Sequence, residues 1–572
     1  MKRHSTWLCS SILAVALGYA APALGRAKIT IININGPGVG LNDPTPAAPI
    51  GGNTGTTIGQ QRLIALQYAA NLWGAALDSS VEIRIQASFV PLECTNTSGV
   101  VGSAGPLNML HDFAGAEQSG TWYPAALANK RAGMDLFPPN LSLGQGSDDV
   151  RAYFNINVGQ PGCMTNTPWY YGIDGRHPPA TIDLVVTALH ELSHGLGFFT
   201  QANGLTGALF NGLPDAFTSH LYDTTLKKSW PEMTDAERRF SAVNARRVIW
   251  TGAEVTAAVP HQLTVGSPSL TIEGPSSIAG DYSVGLATFG ARLTLQGLRG
   301  TVVAARDAAD AAGPLTSDAC SPLLNPEEVA DHIAFVDRGT CTFATKIRNA
   351  QNAGAIAVII ADNAPGNPPP MIGGMNTGDL TILSVRITQA DGNTLRAQLA
   401  AGVSARIGLK PDQYAGADPS GRVLMYTPYP FESLSSIVHW ERVAYPNLLL
   451  EPDINNDLTQ NLDLTLPLLH DIGWFPDSDL DGVPNASDQC PNTDTSLGTV
   501  VIQGCDSGVS NVLFKTGCTM LDLVNQCTSG AGNHGGYVSC VSNLTNDLKK
   551  QGYISGAQKD SIQGCASQAS IP

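Results

Sequence analysis

Apolar positions along the chain follow two periods, one near two and one near three and a half, and the switches between them mark the elements. Residues Lys28 to Asn35 alternate and are rich in Ile, which predicts a first strand. Residues 36–59 are rich in Gly, Pro and Thr and predict a loop. Leu63, Leu66, Ala70, Trp73 and Leu77 then recur at helical spacing, as in an amphipathic helix laid on a sheet. Residues Val81 to Ala87 alternate again, and Val150 to Val158 predicts a third strand. Trp169 to Gly172 fits buried packing, with cleft lining as the alternative. Ile182, Val185, Val186, Leu189 and Leu192 give the next stretch the apolar content of a buried helix. Asp183 at its start suits the positive end of a helix dipole.

A chain of 572 residues predicts several domains. The net charge of −16 argues against a nucleic-acid partner, because phosphate binding needs clustered Lys and Arg. Residues 1–25 read as a secretory signal peptide, with Lys2 and Arg3 as the basic end and residues 7–21 apolar. No later apolar run is long enough to span a bilayer. Removing Cys9 with the signal from the 11 cysteines leaves an even number, as expected in an oxidising compartment. Locality pairs Cys94 with Cys163, Cys320 with Cys341 and Cys490 with Cys505, leaving Cys518, Cys527, Cys540 and Cys565 for two more bridges.

The helix after Ile182 carries the chemistry. It reads Thr187-Ala-Leu-His-Glu-Leu-Ser-His-Gly-Leu-Gly-Phe-Phe199. Helical spacing puts His190 and His194 on one face, one turn apart, where both can hold one metal ion. Glu191 lies off that line, placed to reach a water beside the metal without ligating it. Gly195 and Gly197 allow a sharp exit. This is a zinc-hydrolase motif, with Glu191 expected as the general base; a chance match on a core helix is the alternative.

Catalytic zinc usually takes three protein ligands. The motif resembles that of metzincins, whose compact pattern implies a third His three residues beyond Gly197, but that position is Thr200. His220, Asp223, His261 and His439 are the downstream candidates. His439 sits in Ser435-Ser-Ile-Val-His-Trp440, followed by Asn447-Leu-Leu-Leu-Glu-Pro452. This arrangement resembles leishmanolysin-type metzincins. There a large insertion separates the His-Glu-x-x-His-x-x-Gly helix from a Ser-rich stretch ending in His-Trp, with a Met-containing turn behind it. The resemblance implies that His439 is the third zinc ligand and that residues 448–452 form the turn, with Leu450 in the Met position.

Residues Ile333 to Phe343 and Lys346 to Ile360 read as strand, turn, amphipathic helix, glycine turn and buried strand. They resemble the protease-associated (PA) domain, expected at 265–412. Such a domain is thought to modulate access or bind partners, with an inert spacer as the alternative. An insertion there is tolerable because loop-closure entropy grows only logarithmically with length, provided its ends lie close together. Residues 201–264, with a polar helical stretch from Met233 to Trp250, are expected to join it to the core. Asp471 to Trp474 is expected to close that core.

Beyond it, Asp477, Asp479, Asp481 and Asp488 alternate around a glycine turn, the oxygen-rich pattern that a Ca²⁺ ion needs. The stretch resembles a thrombospondin type 3 repeat, which implies those four carboxylates as calcium ligands; a solvated acidic linker is the alternative. Residues 501–572 predict a small disulfide-stapled module with helices around residues 520–524 and 541–548.

The expected fold class is α+β. It comprises a zinc-protease domain at 26–264 and 413–475 split by the PA insertion, a calcium repeat at 476–500 and a Cys-rich module at 501–572. The expected activity is secreted zinc-dependent endopeptidase, acting on protein or peptide substrates with Zn²⁺ at the site and structural Ca²⁺ in the tail. A secreted binding or adhesion protein with a degenerate protease core is the alternative.

Overall fold

The computed structural model describes residues 27–137, 147–287, 289–366, 371, 378–454, 457–475, 479, 481, 483–485 and 487–570. The expected signal peptide at 1–25 lies outside the described residues.

The first half builds a four-stranded mixed sheet. Its strands are β1 (Ile29–Asn33), β2 (Ile83–Val90), β3 (Gly102–Pro106) and, after the short pair β4 (Met109–Leu110) and β5 (Tyr123–Pro124), β6 (Val150–Asn155). The order is β1-β2-β6-β3, with β3 antiparallel to β6 and the other pairs parallel. The three expected strands are present. β3 was not anticipated, because Gly-Ser-Ala-Gly-Pro has no apolar alternation.

Helix α1 (Ile58–Ala76) buries Leu66, Ala70 and Trp73, and the Trp73 indole donates to the Leu189 carbonyl at 3.1 Å. Helix α2 (Ala125–Ala132) follows β5. The metal-motif helix α3 (Leu184–Leu196) is preceded by the parallel pair β7 (Trp169–Tyr170) and β8 (Ile182–Asp183). Trp169 and Tyr170 are buried, so this segment packs inside.

A second, eight-stranded sheet occupies residues 265–414. Four of its strands, Leu298–Ala304, Ile333–Asp337, Ala357–Ala361 and Leu383–Ile387, run parallel in chain order. Helix Phe343–Asn352 connects the second of them to the third. The long flanking strands Val265–Gly274 and Val403–Tyr414 are antiparallel, and Val265 pairs with Tyr414. The inserted segment therefore leaves and returns through paired strands, which keeps its closure inexpensive in entropy.

The structure shows why the break is tolerated. One apolar core draws on both sides of the insertion, including Trp73, Leu189 and Trp250 before it and Trp440, Leu450 and Trp474 after it. The Met425 amide donates to the Val248 carbonyl and the Trp250 amide to the Val423 carbonyl, both at 2.9 Å. The Trp474 indole donates to the Leu196 carbonyl at 2.8 Å, so the 471–474 segment closes on the end of α3.

Two expectations change here. The stretch from Met233 to Trp250 is not one helix: only Asp235–Ser241 is helical, capped by Thr234 and Glu237, and Val248–Trp250 is a strand paired with Leu221–Asp223. The tail pairing also differs. Cys94–Cys163 and Cys320–Cys341 form, but Cys490 bonds Cys518, Cys505 bonds Cys565, and Cys527 bonds Cys540. Locality failed for Cys505 because it begins a strand, Cys505–Ser510, that pairs with Thr499–Ile502 and packs on a third helix, Gly556–Gln568. That helix was not anticipated, although Ser555 and Gln558 form a capping box readable in the sequence. Helices Met520–Gly530 and His534–Lys550 cover the two expected segments.

Candidate metal centre

Asp183 caps α3: its Oδ1 accepts from the Val185 and Val186 amides at 2.8 and 3.2 Å. The two glycines near the far end play different parts. Gly195 lies inside the helix, where a Cβ would sit 2.2 Å from Val150 Cγ1, so its role is close packing on β6. Gly197, at φ +131°, is the exit.

His190, His194 and His439 converge at one point, with their ligand atoms within 4.8 Å of one another. The His190 Nε2 lies 3.3 Å from that of His194 and 3.2 Å from that of His439. Two nitrogens bonded to one tetrahedral zinc are about 3.3 Å apart, given bonds of about 2.0–2.1 Å.

Each imidazole is held from behind by a backbone carbonyl. Nδ1 of His190 donates to Leu449 O at 2.7 Å, Nδ1 of His194 to Phe198 O at 2.8 Å and Nδ1 of His439 to Ser435 O at 2.8 Å. A carbonyl only accepts, so each Nδ1 carries the proton and each Nε2 presents a lone pair. Three acceptor lone pairs directed at one another repel, and a cation between them is what satisfies them. Burial keeps the imidazoles neutral as metal ligation requires, lowering His190 to about 3, His194 to about 4 and His439 well below its usual value. The donor set fits Zn²⁺.

His439 reaches the site on an extended segment clamped to the core. Its carbonyl accepts from the Tyr426 amide at 2.8 Å, and the Trp440 amide donates to Leu450 O at 2.8 Å. Leu450 is fully buried. The turn at 448–452 thus stands beside both His190 and His439.

Glu191 is buried against β3. The Ala104 backbone bonds its carboxylate, and burial, the larger effect, pushes its pKa up to about 8. A divalent cation nearby would oppose that shift. A cleft of about 720 Å³ opens over these groups, lined by residues 97–104, 202–205 and 433–439 among others.

The other candidates lie elsewhere. Asp223 is buried and bonds the Thr225 and Leu226 amides and the Asn244 amide group. His220 stacks on Trp250 with ring centroids 4.9 Å apart. His261 sits in the last turn of the helix Ala253–Gln262. Thr200, in the compact-ligand position, donates to Asp215 at 2.7 Å. Sequence reasoning missed β3 and the three anchoring carbonyls, since backbone acceptors leave no residue-type signature.

In the tail, Asp479, Asp481 and Asp488 come together with carboxylate oxygens within 4.8 Å; Asp477 lies outside the described residues.

A PA-domain family model matches residues 298–395, so the chain carries a PA domain within the eight-stranded sheet. The chain is 53% identical over 51 residues to the human ER degradation-enhancing alpha-mannosidase-like protein 3, covering 9% of this chain and 6% of that protein. It is 29% identical over 159 residues to Vacuolar-sorting receptor 3 of Arabidopsis thaliana, covering 26% and 24%. The chain thus spans less than a quarter of either relative. Among solved structures, a zinc aminopeptidase from Bacillus subtilis aligns with 27% of this chain and 36% of its own, at 22% identity and a TM-score of 0.18.

Proposed function

We propose that the chain is a secreted zinc-dependent endopeptidase of metzincin type. The observation that carries this reading is the convergence of three buried, neutral imidazoles, each anchored at Nδ1, beside a buried carboxylate under an open cleft. His190, His194 and His439 would hold the ion. Zinc, when bound, supplies a Lewis acid that polarises the scissile carbonyl and makes the attacking water more acidic.

The protein supplies the rest. β3 ends its sheet beside Glu191 and offers an edge on which an extended peptide can add as a strand. Glu191 takes a proton from the attacking water onto a carboxylate oxygen and then delivers it to the leaving amine. The apolar core buries the three imidazoles on all sides but the one that faces the cleft. Five disulfides among the described residues suit an oxidising, extracellular setting, and no described helix is long and apolar enough to cross a membrane. The converging Asp479, Asp481 and Asp488 are proposed as the core of a structural calcium site of thrombospondin type 3 kind, with Asp477 as a fourth ligand.

The test is casein hydrolysis by the purified chain, with and without a zinc chelator, alongside zinc content. Glu191→Gln should retain zinc and lose hydrolysis by about 10²–10⁴-fold. His439→Ala should lose both, and Asp223→Ala should keep its zinc. Chelator-insensitive hydrolysis, or full activity in Glu191→Gln, would sink the reading.

A further inference from the structure

We propose that Asp463 is a positioning residue for the metal-facing imidazole of His190, acting through the turn at residues 448–451; this rests on the zinc reading above. The Asp463 Oδ2 accepts from the Leu449 amide at 2.5 Å, and the Leu449 carbonyl accepts from His190 Nδ1 at 2.7 Å. One residue is thus gripped at its N–H by a carboxylate and at its C=O by a ligand imidazole. The other carboxylate oxygen, Oδ1, accepts from the Thr465 amide at 3.0 Å and the Thr465 hydroxyl at 2.9 Å, which fixes the orientation of Asp463 itself.

The same turn serves a second ligand. The Leu450 carbonyl accepts from the amide of Trp440, the residue after His439, at 2.8 Å. Glu451 steadies the turn from within, its Oε1 accepting from the Leu448 amide at 3.0 Å. A carbonyl behind a ligating imidazole sets its tautomer and ring direction and raises its basicity, and disturbing such a partner weakens metal affinity about 10–100-fold. Asp463 stands one link farther out, so the lower end of that range applies. A side chain fourteen positions downstream therefore governs a ligand carried by a helix on the far side of the insertion.

The test measures zinc affinity of the full chain by chelator competition, together with kinetics on a peptide substrate. Asp463→Asn should weaken zinc about 10-fold, and with saturating zinc should lower kcat while leaving KM unchanged. Asp463→Glu keeps the charge, moves the carboxylate by one methylene and carries the same expectation if the first variant does not fold. Asp223→Asn is the comparison, because it too removes a buried carboxylate that bonds two backbone amides, but remote from the imidazoles. It should lower thermal stability and keep wild-type zinc affinity. Unchanged zinc affinity in both Asp463 variants, or an equal loss in Asp223→Asn, overturns the inference alone. A wild-type chain that binds no zinc overturns the zinc reading and this inference with it.

Discussion

Gly102 stands so close to Glu191 that a Cβ at position 102 would lie 2.6 Å from the Glu191 Oε1 and 2.7 Å from its Cγ and Cδ. The edge strand and the proposed general base share one packed surface, and only a residue without a side chain lets them meet. Gly102→Ala forces the Glu191 side chain to move, because β3 is paired to β6 along its length and cannot easily yield. The expected outcome is a fall in kcat/KM of about 10-fold or more, since a shift of about 1 Å in a catalytic group costs up to about 10²-fold. Zinc content should stay at the wild-type level. Comparing metal analysis with peptide kinetics checks this, and wild-type turnover in Gly102→Ala would show that Glu191 is not held from β3.

Leu450 fills the place that a Met takes in the family resemblance and is completely buried. Its backbone, not its side chain, bonds the Trp440 amide. Leu and Met have similar volumes, and such exchanges in a core usually cost less than about 1.5 kcal/mol. Leu450→Met should therefore keep zinc affinity and activity within about two-fold of wild type by this argument. A large change in either direction would mean that the side chain at 450 acts on the imidazoles beyond filling space.

Much of the site was legible because it depends on residue types at helical spacing. His190, Glu191, His194 and the Asp183 cap follow from the pattern of α3 alone. His439 was legible only through a motif far downstream, and its arrival depends on the 248–250 and 423–425 segments meeting across the insertion. The rest was written in backbone. Leu449, Phe198 and Ser435 contribute carbonyls, which any residue offers, and β3 is too rich in glycine to show alternation. The tail disulfides misled for a related reason: sequence proximity says nothing about which strand or helix will face a given cysteine.

Asp149 carries a testable pH dependence. It is almost fully buried, and burial, aided by the nearby Asp135 and Asp148 charges, pushes its pKa up to about 7 against the bonds it accepts from the Arg84 and Asn129 nitrogens. A carboxyl whose pKa is raised by folding binds more protons in the native state, so stability falls as pH rises from the ordinary carboxylate range to about 7. Each proton so linked contributes a slope of up to about 1.4 kcal/mol per pH unit. His190, His194 and His439, whose pKa values burial lowers, contribute the opposite slope below about pH 6.5. The test is therefore a difference: in denaturant unfolding between pH 4 and pH 7 the wild type should lose stability relative to Asp149→Asn as pH rises. Equal slopes in the two proteins would remove Asp149 as the source.

The Cys94–Cys163 bridge spans 69 positions and braces one wall of the cleft. Around it, the Met164 amide donates to the Thr95 carbonyl at 2.6 Å and the Thr165 amide to the Asn96 carbonyl at 3.0 Å. These bonds tie the 95–99 loop to residues 160–165, and the loop runs on into β3. A closed loop of this length restricts the unfolded chain by about 4 kcal/mol in the chain-entropy account. A Cys94→Ser, Cys163→Ser double variant should therefore lose stability of that order. Because residues 97–99 of this loop line the cleft proposed to take the peptide and supply no candidate metal ligand, KM for a long peptide should rise while zinc affinity holds. Thermal unfolding, chelator competition and steady-state kinetics on the same preparation separate these effects. A variant that loses zinc along with stability would place the bridge in the support of the metal site and not in the wall of the cleft.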